Sequence, residues 1–408
     1  MKRVVVTGMS GISAIGSSWE ETRRNLTAEK TGVTYMTEWD KYQDLNTRLA
    51  GPVPDFVKPA HYSRKVTRSM GRGSLMATAA TEQALSQAGL LEDESLRDGR
   101  CGISYGSCMG DSNAVAAFGH MLINNNTSGL NANSYLKMMP HTATVNVGVF
   151  FGLKGRAITT TSACASGSQG IGYAYEAIKF GKQQIMVAGG AEQLCATQAA
   201  VFDTLYATST VNDTPELSPR PFDKDRDGLV IGEGAGTLIL EELAHAQARG
   251  AHILAEVVGF GTNTDGLHVT QPAATTMSRA MELALEDANI GPDKIGYISA
   301  HGTATNKGDI AEATATENIF GSDTPISALK SFTGHTLGAC GALEAWISIE
   351  MMNANWFHGT ANLKHIDPEC GQLDYLVGAG REIDTDYVMS NNFAFGGINT
   401  SLIFKRWN

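Results

Sequence analysis

Short apolar runs recur along the chain, each followed by a stretch with helical spacing. Residues 3–7, 101–105, 157–161, 184–188 and 237–240 carry mostly apolar or β-branched side chains over four or five positions, as buried strands do. Residues 74–91 are small and apolar at helical spacing, and a second helix is predicted from Cys164 to Phe180, with Gly181 placed to end it. No low-complexity or Pro-rich linker interrupts this alternation, so it predicts one compact α/β unit.

The order of elements repeats. "ATEQALSQAGLLEDESLRDGRCGISYGS", ending at Ser107, runs helix, acidic turn, strand, glycine turn, and "MELALEDANIGPDKIGYISAHGT" from Met281 runs the same way. In each half a strand then feeds a small-residue helix, "ITTTSACASGSQGIG" in the first and "ISALKSFTGHTLGACG" in the second. The opening "RVVVTGMSGIS" has its counterpart in "HILAEVVGFGTNTDG" from His252. Two pseudo-symmetric halves, residues 1–250 and 251–408, are therefore expected, with a site at their junction.

Composition narrows the class. The 31 Lys and Arg against 42 Asp and Glu give a net charge of −11, which disfavours non-specific nucleic-acid binding. Charged residues are 18% of the chain, below the usual ~25%, which implies extensive burial. No run of 18 apolar residues could cross a membrane, and "VVVTGMS" after Met1-Lys2-Arg3 supplies no signal-peptide core. Six cysteines without a C-x-x-C pair suit a reducing cytoplasm.

The chemistry centres on Cys164, at a strand-to-helix elbow built from Ala163, Ala165, Ser166 and Gly167. A helix N-terminus there would favour the thiolate. Cys101, Cys195 and Cys370 read as buried and inert. His301 and His335 occupy equivalent turns in the second half, so pseudo-symmetry points all three side chains at one cavity, with Lys330 adding positive charge nearby. A Cys with two His matches zinc in composition, but no ligand pair has close metal spacing, and no metal is expected. His245, His252 and His358 read as surface residues. Gly396-Gly397 would permit backbone N–H groups to face the cavity.

In series, "SACASG", "RPFDKDRDGLVIGEGAG", "AHGTATNKGDIAE", "ALKSFTGHTLGACGALE" and "NNFAFGGIN" resemble the β-ketoacyl–acyl-carrier-protein synthases over essentially all 408 residues. These are decarboxylating condensing enzymes of the thiolase fold. The resemblance implies a five-layered αβαβα architecture, a homodimer, and substrates carried on the phosphopantetheine of acyl carrier protein with no other cofactor. It implies that Cys164 accepts the acyl group, that His301 and His335 bind the malonyl thioester and its enolate, and that Lys330 orders the site. The N–H groups of Cys164 and Phe395 would form the oxyanion hole, the Phe395 ring a gate, and Thr303 and Thr305 would hold the pantetheine arm. Met109 would bound the acyl pocket, with Met138 and Met139 reaching the partner subunit's pocket. Arg64, Lys65 and Arg68 would dock the carrier.

Rival readings have specific weaknesses. Tyr175 and Lys179 form the Y-x-x-x-K of short-chain dehydrogenases, but Tyr175 falls inside the helix opened at Cys164. Asp223, Asp225 and Asp227 imitate a calcium loop whose twelfth position is Gly234, where a Glu is required. A thiolase would have a second cysteine where "NNFAFGGIN" has phenylalanines. A chain-length-factor subunit would lack Cys164, and a priming synthase would have Asn at 335. Departures from the family pattern are Asn306 for Pro, Ala394 for a Gly beside the gate, Tyr206 for an Arg that in the family contacts the carrier, and the absence of basic residues in "LINNNTSGLNANSYL". Fatty-acid elongation leads; a polyketide or aryl-polyene ketosynthase, with or without a homologous partner subunit, is the alternative, and a short-chain dehydrogenase-like oxidoreductase the remote one.

Overall fold

The computed structural model describes the chain from Met1 to Asn408. Eleven strands form one sheet: Val4–Ile12 (β1), Cys101–Gly106 (β2), Ala157–Thr160 (β3), Ile185–Glu192 (β4), Gly234–Glu242 (β5), Ala255–Thr264 (β6), Tyr297–Ser299 (β7), Pro325–Ser327 (β8), Asp374–Tyr375 (β9), Tyr387–Ala394 (β10) and Ile398–Arg406 (β11). Their order is β9-β8-β7-β10-β11-β6-β1-β5-β4-β2-β3. Outward from the centre, β1-β5-β4-β2-β3 pair antiparallel, antiparallel, parallel, parallel, and β6-β11-β10-β7-β8 do the same. The two half-sheets join only where Val4, Val5 and Val6 of β1 face Val257, Glu256 and Ala255 of β6. The repeat in the sequence is thus a repeat of topology.

The main helices are Arg72–Gln87 (α1), Ser112–Asn124 (α2), Ala132–Met138 (α3), Thr142–Phe151 (α4), Ser166–Lys179 (α5), Ala274–Ala288 (α6), Asn306–Phe320 (α7) and Cys340–Ala354 (α8). Helices α5 and α8 pack against each other between the half-sheets. Outside them, α1 and α4 cover the first half-sheet and α6, with α7 packed beside it, the second, which completes an αβαβα stack. Three core clusters of 36, 22 and 19 buried residues fill the central and two outer interfaces. Helix α8 is buried on nearly every side and therefore shows no polar face. Where β4, the start of α5 and the turn before α8 meet, the fit depends on missing side chains. A Cβ on Gly190 would stand 2.2 Å from the Gly338 carbonyl oxygen and 2.9 Å from Gly167 Cα.

Several local expectations change. The helix after Cys164 starts at Ser166, behind a 3-10 turn over Ala163–Ala165. His358 is a core residue with no exposed surface, not a surface one, because β-structure and α8 close over it. Its Nδ1 lies 2.8 Å from Gly359 O. The Tyr175 hydroxyl bonds Val258 O and Asp287, and Lys179 Nζ lies 2.8 Å from it, so this pair ties α5 to β6 and α6. The carboxylate of Asp223 accepts N–H groups from Asp225, Lys364 and His365, and the chain itself thus fills the calcium-like turn.

Candidate active site

Cys164 follows β3 at the entrance to α5. The turn is held by Ser166, whose hydroxyl accepts the Ser162 N–H at 2.9 Å and donates to Ala163 O at 2.7 Å. Ala163 takes φ +48, a left-handed conformation costly for a residue with a Cβ and common where strain serves a site. The Cys164 side chain is 4% exposed, and the backbone N–H groups of Phe395 and of Cys164 itself point at its sulfur. Burial pushes the thiol up to about 11, against the pull of Lys330 and those two N–H groups. The N–H groups favour the thiolate, as the sequence implied, but burial outweighs them. The two glycines do not face the cavity with their N–H groups. Gly396 N–H donates to Val269 O and Gly397 N–H to Ala394 O, and that loop leaves Phe395 as the donor.

His335 Nε2 lies 3.0 Å from Cys164 Sγ. Its Nδ1 accepts the Leu337 N–H at 3.2 Å, which puts the ring proton on Nε2 and makes the imidazole a donor toward the sulfur. His301 stands edge-on to it, with ring centroids 5.3 Å apart. Asn392 Nδ2 donates to Glu344 Oε2 at 2.6 Å and lies 3.5 Å from His301 Nδ1, which leaves Nε2 as that ring's proton-bearing atom too. Burial first, then the Lys330 charge, holds both imidazoles well below their usual range, so both are neutral near pH 7.

A set of buried carboxylates supports these groups. Lys330 Nζ pairs with Glu344 Oε1 at 2.5 Å, and Glu344 outweighs the burial that would deprotonate the lysine. Glu312 accepts the N–H groups of His301 and Gly302, both at 2.7 Å, and burial pushes it up to about 8. Glu192 gathers N–H groups from Cys108, Met109 and Gly338, and burial pushes it up to about 7. Sequence reasoning missed Glu192, Glu312, Glu344 and Asn392. The available signal was an acid closing an apolar strand or standing on the apolar face of a helix.

Cys164, His301, His335, Phe395, Thr303 and Thr305 share the wall of one cavity of about 480 Å³. The Thr303 and Thr305 hydroxyls are 2.9 Å apart, and the Phe395 ring packs on Phe202 with centroids 5.0 Å apart. Lys330 lies behind the wall. Met109, Met138 and Met139 are half-buried and outside it, Met109 Sδ lying 3.9 Å from Thr197 Oγ1. Arg64 and Lys65 sit on the exposed helical turn Arg64–Thr67, with Arg68 next to it, away from this wall. The ligand atoms of Cys164, His301 and His335 fall within 4.8 Å of one another, close enough to hold a metal ion. His335 does not fit that role, because its Nε2 carries the proton while Nδ1 accepts from Leu337.

A buried thiol facing two imidazole donors, on the axis between duplicated α/β halves, defines a thiolase-like condensing site. Matches to known proteins agree: the Beta-ketoacyl synthase N-terminal domain matches residues 1–246 and the Beta-ketoacyl synthase C-terminal domain residues 254–364. The chain belongs to the β-ketoacyl synthase family, whose members are acyltransferases. It is 37% identical over 413 residues, 99% of each chain, to the 3-oxoacyl-[acyl-carrier-protein] synthase 2 of Vibrio harveyi. A solved β-ketoacyl synthase from Burkholderia phymatum is 59% identical with a TM-score of 0.99, each chain fully covered. The ishigamide ketosynthase/chain length factor is 33% identical with a TM-score of 0.92, again over all of both chains. No helix is long and apolar enough to cross a membrane.

Proposed function

We propose that this protein is a 3-oxoacyl-[acyl-carrier-protein] synthase in which Cys164 carries the acyl chain and His301 and His335 drive decarboxylation. The observation that carries this reading is the fixed tautomer of His335, which aims an N–H, not a lone pair, at the reaction centre. An imidazole so held serves as a donor to a developing enolate and not as a general base.

Cys164 Sγ attacks the acyl thioester, and its proton leaves with the departing pantetheine thiol. The N–H groups of Cys164 and Phe395 donate to the oxyanion as it forms. Malonyl thioester then enters, with Thr303 and Thr305 along its pantetheine arm. As carbon dioxide departs, the electrons of the broken bond pass into an enolate whose oxygen sits between the two Nε2–H donors. The enolate carbon attacks acyl-Cys164 and expels the thiolate, which takes back a proton from water. Loss of carbon dioxide generates the carbanion, so the cycle calls for no free cofactor and no metal. Lys330, paired with Glu344, supplies a fixed positive charge behind both imidazoles.

The outermost strand β3 is unpaired on one edge, and Tyr135, Val145 and Val149 are exposed on α3 and α4. This supports association with a second copy of the chain. A homologous partner subunit is the alternative, favoured by the likeness to a ketosynthase/chain length factor. The unpaired cysteines suit action in the cytoplasm.

Separating the two half-reactions tests the reading. His301→Ala and His335→Ala should still load an acyl group on Cys164 but release carbon dioxide from malonyl carrier ~10²–10³-fold more slowly, the usual worth of one such donor. Equal loss of loading and decarboxylation in folded protein would overturn it.

A further inference from the structure

The turn that follows His335 repeats, in the second half, the turn that carries the nucleophile. A 3-10 turn over Leu337–Ala339 leads into α8 as Ala163–Ala165 leads into α5, and Leu337, like Ala163, takes φ +48. Gly338 therefore stands where Cys164 stands in the first half. The Cys164 N–H points at its own sulfur, whereas the Gly338 N–H is held by a carboxylate, Glu192 Oε2, at 3.2 Å.

Glu192 closes β4 and has no exposed surface. Its Oε2 also accepts the Cys108 N–H at 2.8 Å, and its Oε1 accepts the Met109 N–H at 3.2 Å and Gln198 Nε2 at 3.0 Å. No basic side chain pairs with it. A buried charge satisfied by donors alone is costly to keep, which points to a role beyond packing. The approach to Gly338 is close, since a Cβ there would stand 2.9 Å from Oε2.

The same turn fixes the His335 ring. The Leu337 N–H donates to His335 Nδ1 at 3.2 Å and so keeps the ring proton on Nε2. The peptide units that carry the Leu337 and Gly338 N–H groups are joined through Leu337 Cα, so anchoring the second sets the direction of the first. A left-handed leucine is unfavourable and persists only where its surroundings hold it.

We propose that Glu192 is a positioning residue for decarboxylation: by holding the Gly338 N–H it keeps Leu337 left-handed and His335 in the tautomer that donates from Nε2. The proposal rests on the donor reading of His335 above. It makes the arrangement sensitive to pH as well. Burial pushes Glu192 up to about 7, and the protonated acid carries an O–H where its four partners are all donors. Other ionisable groups face it from the neighbouring elements. Burial pushes the thiols of Cys108 after β2, Cys164 before α5 and Cys340 at the start of α8 above their ordinary values. Cys195, beside the helix that carries Gln198, lies 3.1 Å from Thr197 Oγ1, and Glu233, before β5, pairs with Arg72 at 2.8 Å. Glu312, pushed up to about 8, holds the His301 backbone and not this turn.

The test reads the tautomer directly, by solid-state NMR of protein carrying ¹⁵N-labelled histidine, with the His335 signals identified by their loss in His335→Asn. In mildly alkaline buffer the unaltered enzyme should show Nδ1 as a bare ring nitrogen and Nε2 as a protonated one. Glu192→Leu removes every acceptor bond, and Nδ1 should then move toward the protonated position. Decarboxylation of malonyl carrier should slow about ten-fold, as a misplaced group costs. Loading of Cys164 should instead quicken, because a charge that opposes its thiolate is gone. The unaltered enzyme gives a second reading that depends on no variant: Nδ1 should step toward the protonated position as pH falls through about 7, and the step should be absent from Glu192→Leu. A signal that stays put in folded Glu192→Leu, or that shows no step near pH 7 in the unaltered enzyme, overturns the proposal. Slowing of both half-reactions together also overturns it. A proton on Nδ1 in the unaltered enzyme in alkaline buffer removes the donor reading of His335 along with it.

Discussion

Alkylation of Cys164 should accelerate steadily with pH well beyond the point at which an ordinary thiol has reached its plateau. Cys164 is 4% exposed, and burial lifts its thiol to about 11, roughly two units above a free thiol. That shift corresponds to ~2.7 kcal/mol against the thiolate. The thiolate fraction is then ~10⁻⁴ at pH 7, and an electrophile such as iodoacetamide should react ~10-fold faster per pH unit between pH 7 and 10. Lys330 pulls the thiol down, so Lys330→Met should slow the reaction at every pH in this range. The assay is mass-resolved labelling of Cys164 under pseudo-first-order conditions. A protease-like Cys–His ion pair would behave otherwise, giving a rate nearly flat from pH 6 to 9. That flat profile would refute the argument, and with it the assignment of the His335 proton to Nε2.

Two further outcomes are expected. If Met109 bounds the acyl pocket, Met109→Trp should favour short primers and Met109→Ala longer ones, each methylene being worth ~0.8 kcal/mol; an unchanged chain-length profile on folded protein would remove it from the pocket. Burial holds His358 down at about 4, so between its ordinary value near 6.5 and 4 the unfolded chain takes up a proton that the native core refuses. Stability should therefore fall by about 3 kcal/mol as pH drops through that window, measured by urea unfolding, and His358→Gln should flatten the difference.

That Cys164, His301 and His335 would meet at one cavity was legible in the sequence because each stands at a strand-to-helix turn, where small residues and glycines mark the chain. The duplicated order of strands was legible for a related reason, since apolar runs and acidic turns recur in register. Glu192 escaped notice because "IMVAGGAE" reads as an apolar strand, and nothing local says that its last residue turns inward to collect four donors. Glu312 is eleven positions from His301 in sequence yet bonds its backbone, a contact created by the β7-to-α7 turn. His358 was misplaced because a lone histidine carries no periodicity, and the core that surrounds it comes from distant segments. The balance at the thiol was not legible, because a helix N-terminus can be read from sequence but desolvation cannot.

The glycine seam between the two halves bears on how such an enzyme can be recombined. Gly167 and Gly190 come from the first half and Gly338 from the second, and their backbones touch with no room for a methyl group. Cys164 lies three residues before Gly167 and His335 three before Gly338, so wedging the seam apart by even one carbon would draw the sulfur from the imidazole. Neither copy is then free to drift alone, and a bulkier residue on one side demands a compensating retreat on the other. Chimaeras that join the first half of one parent to the second half of another should be screened at this seam before any residue that touches substrate.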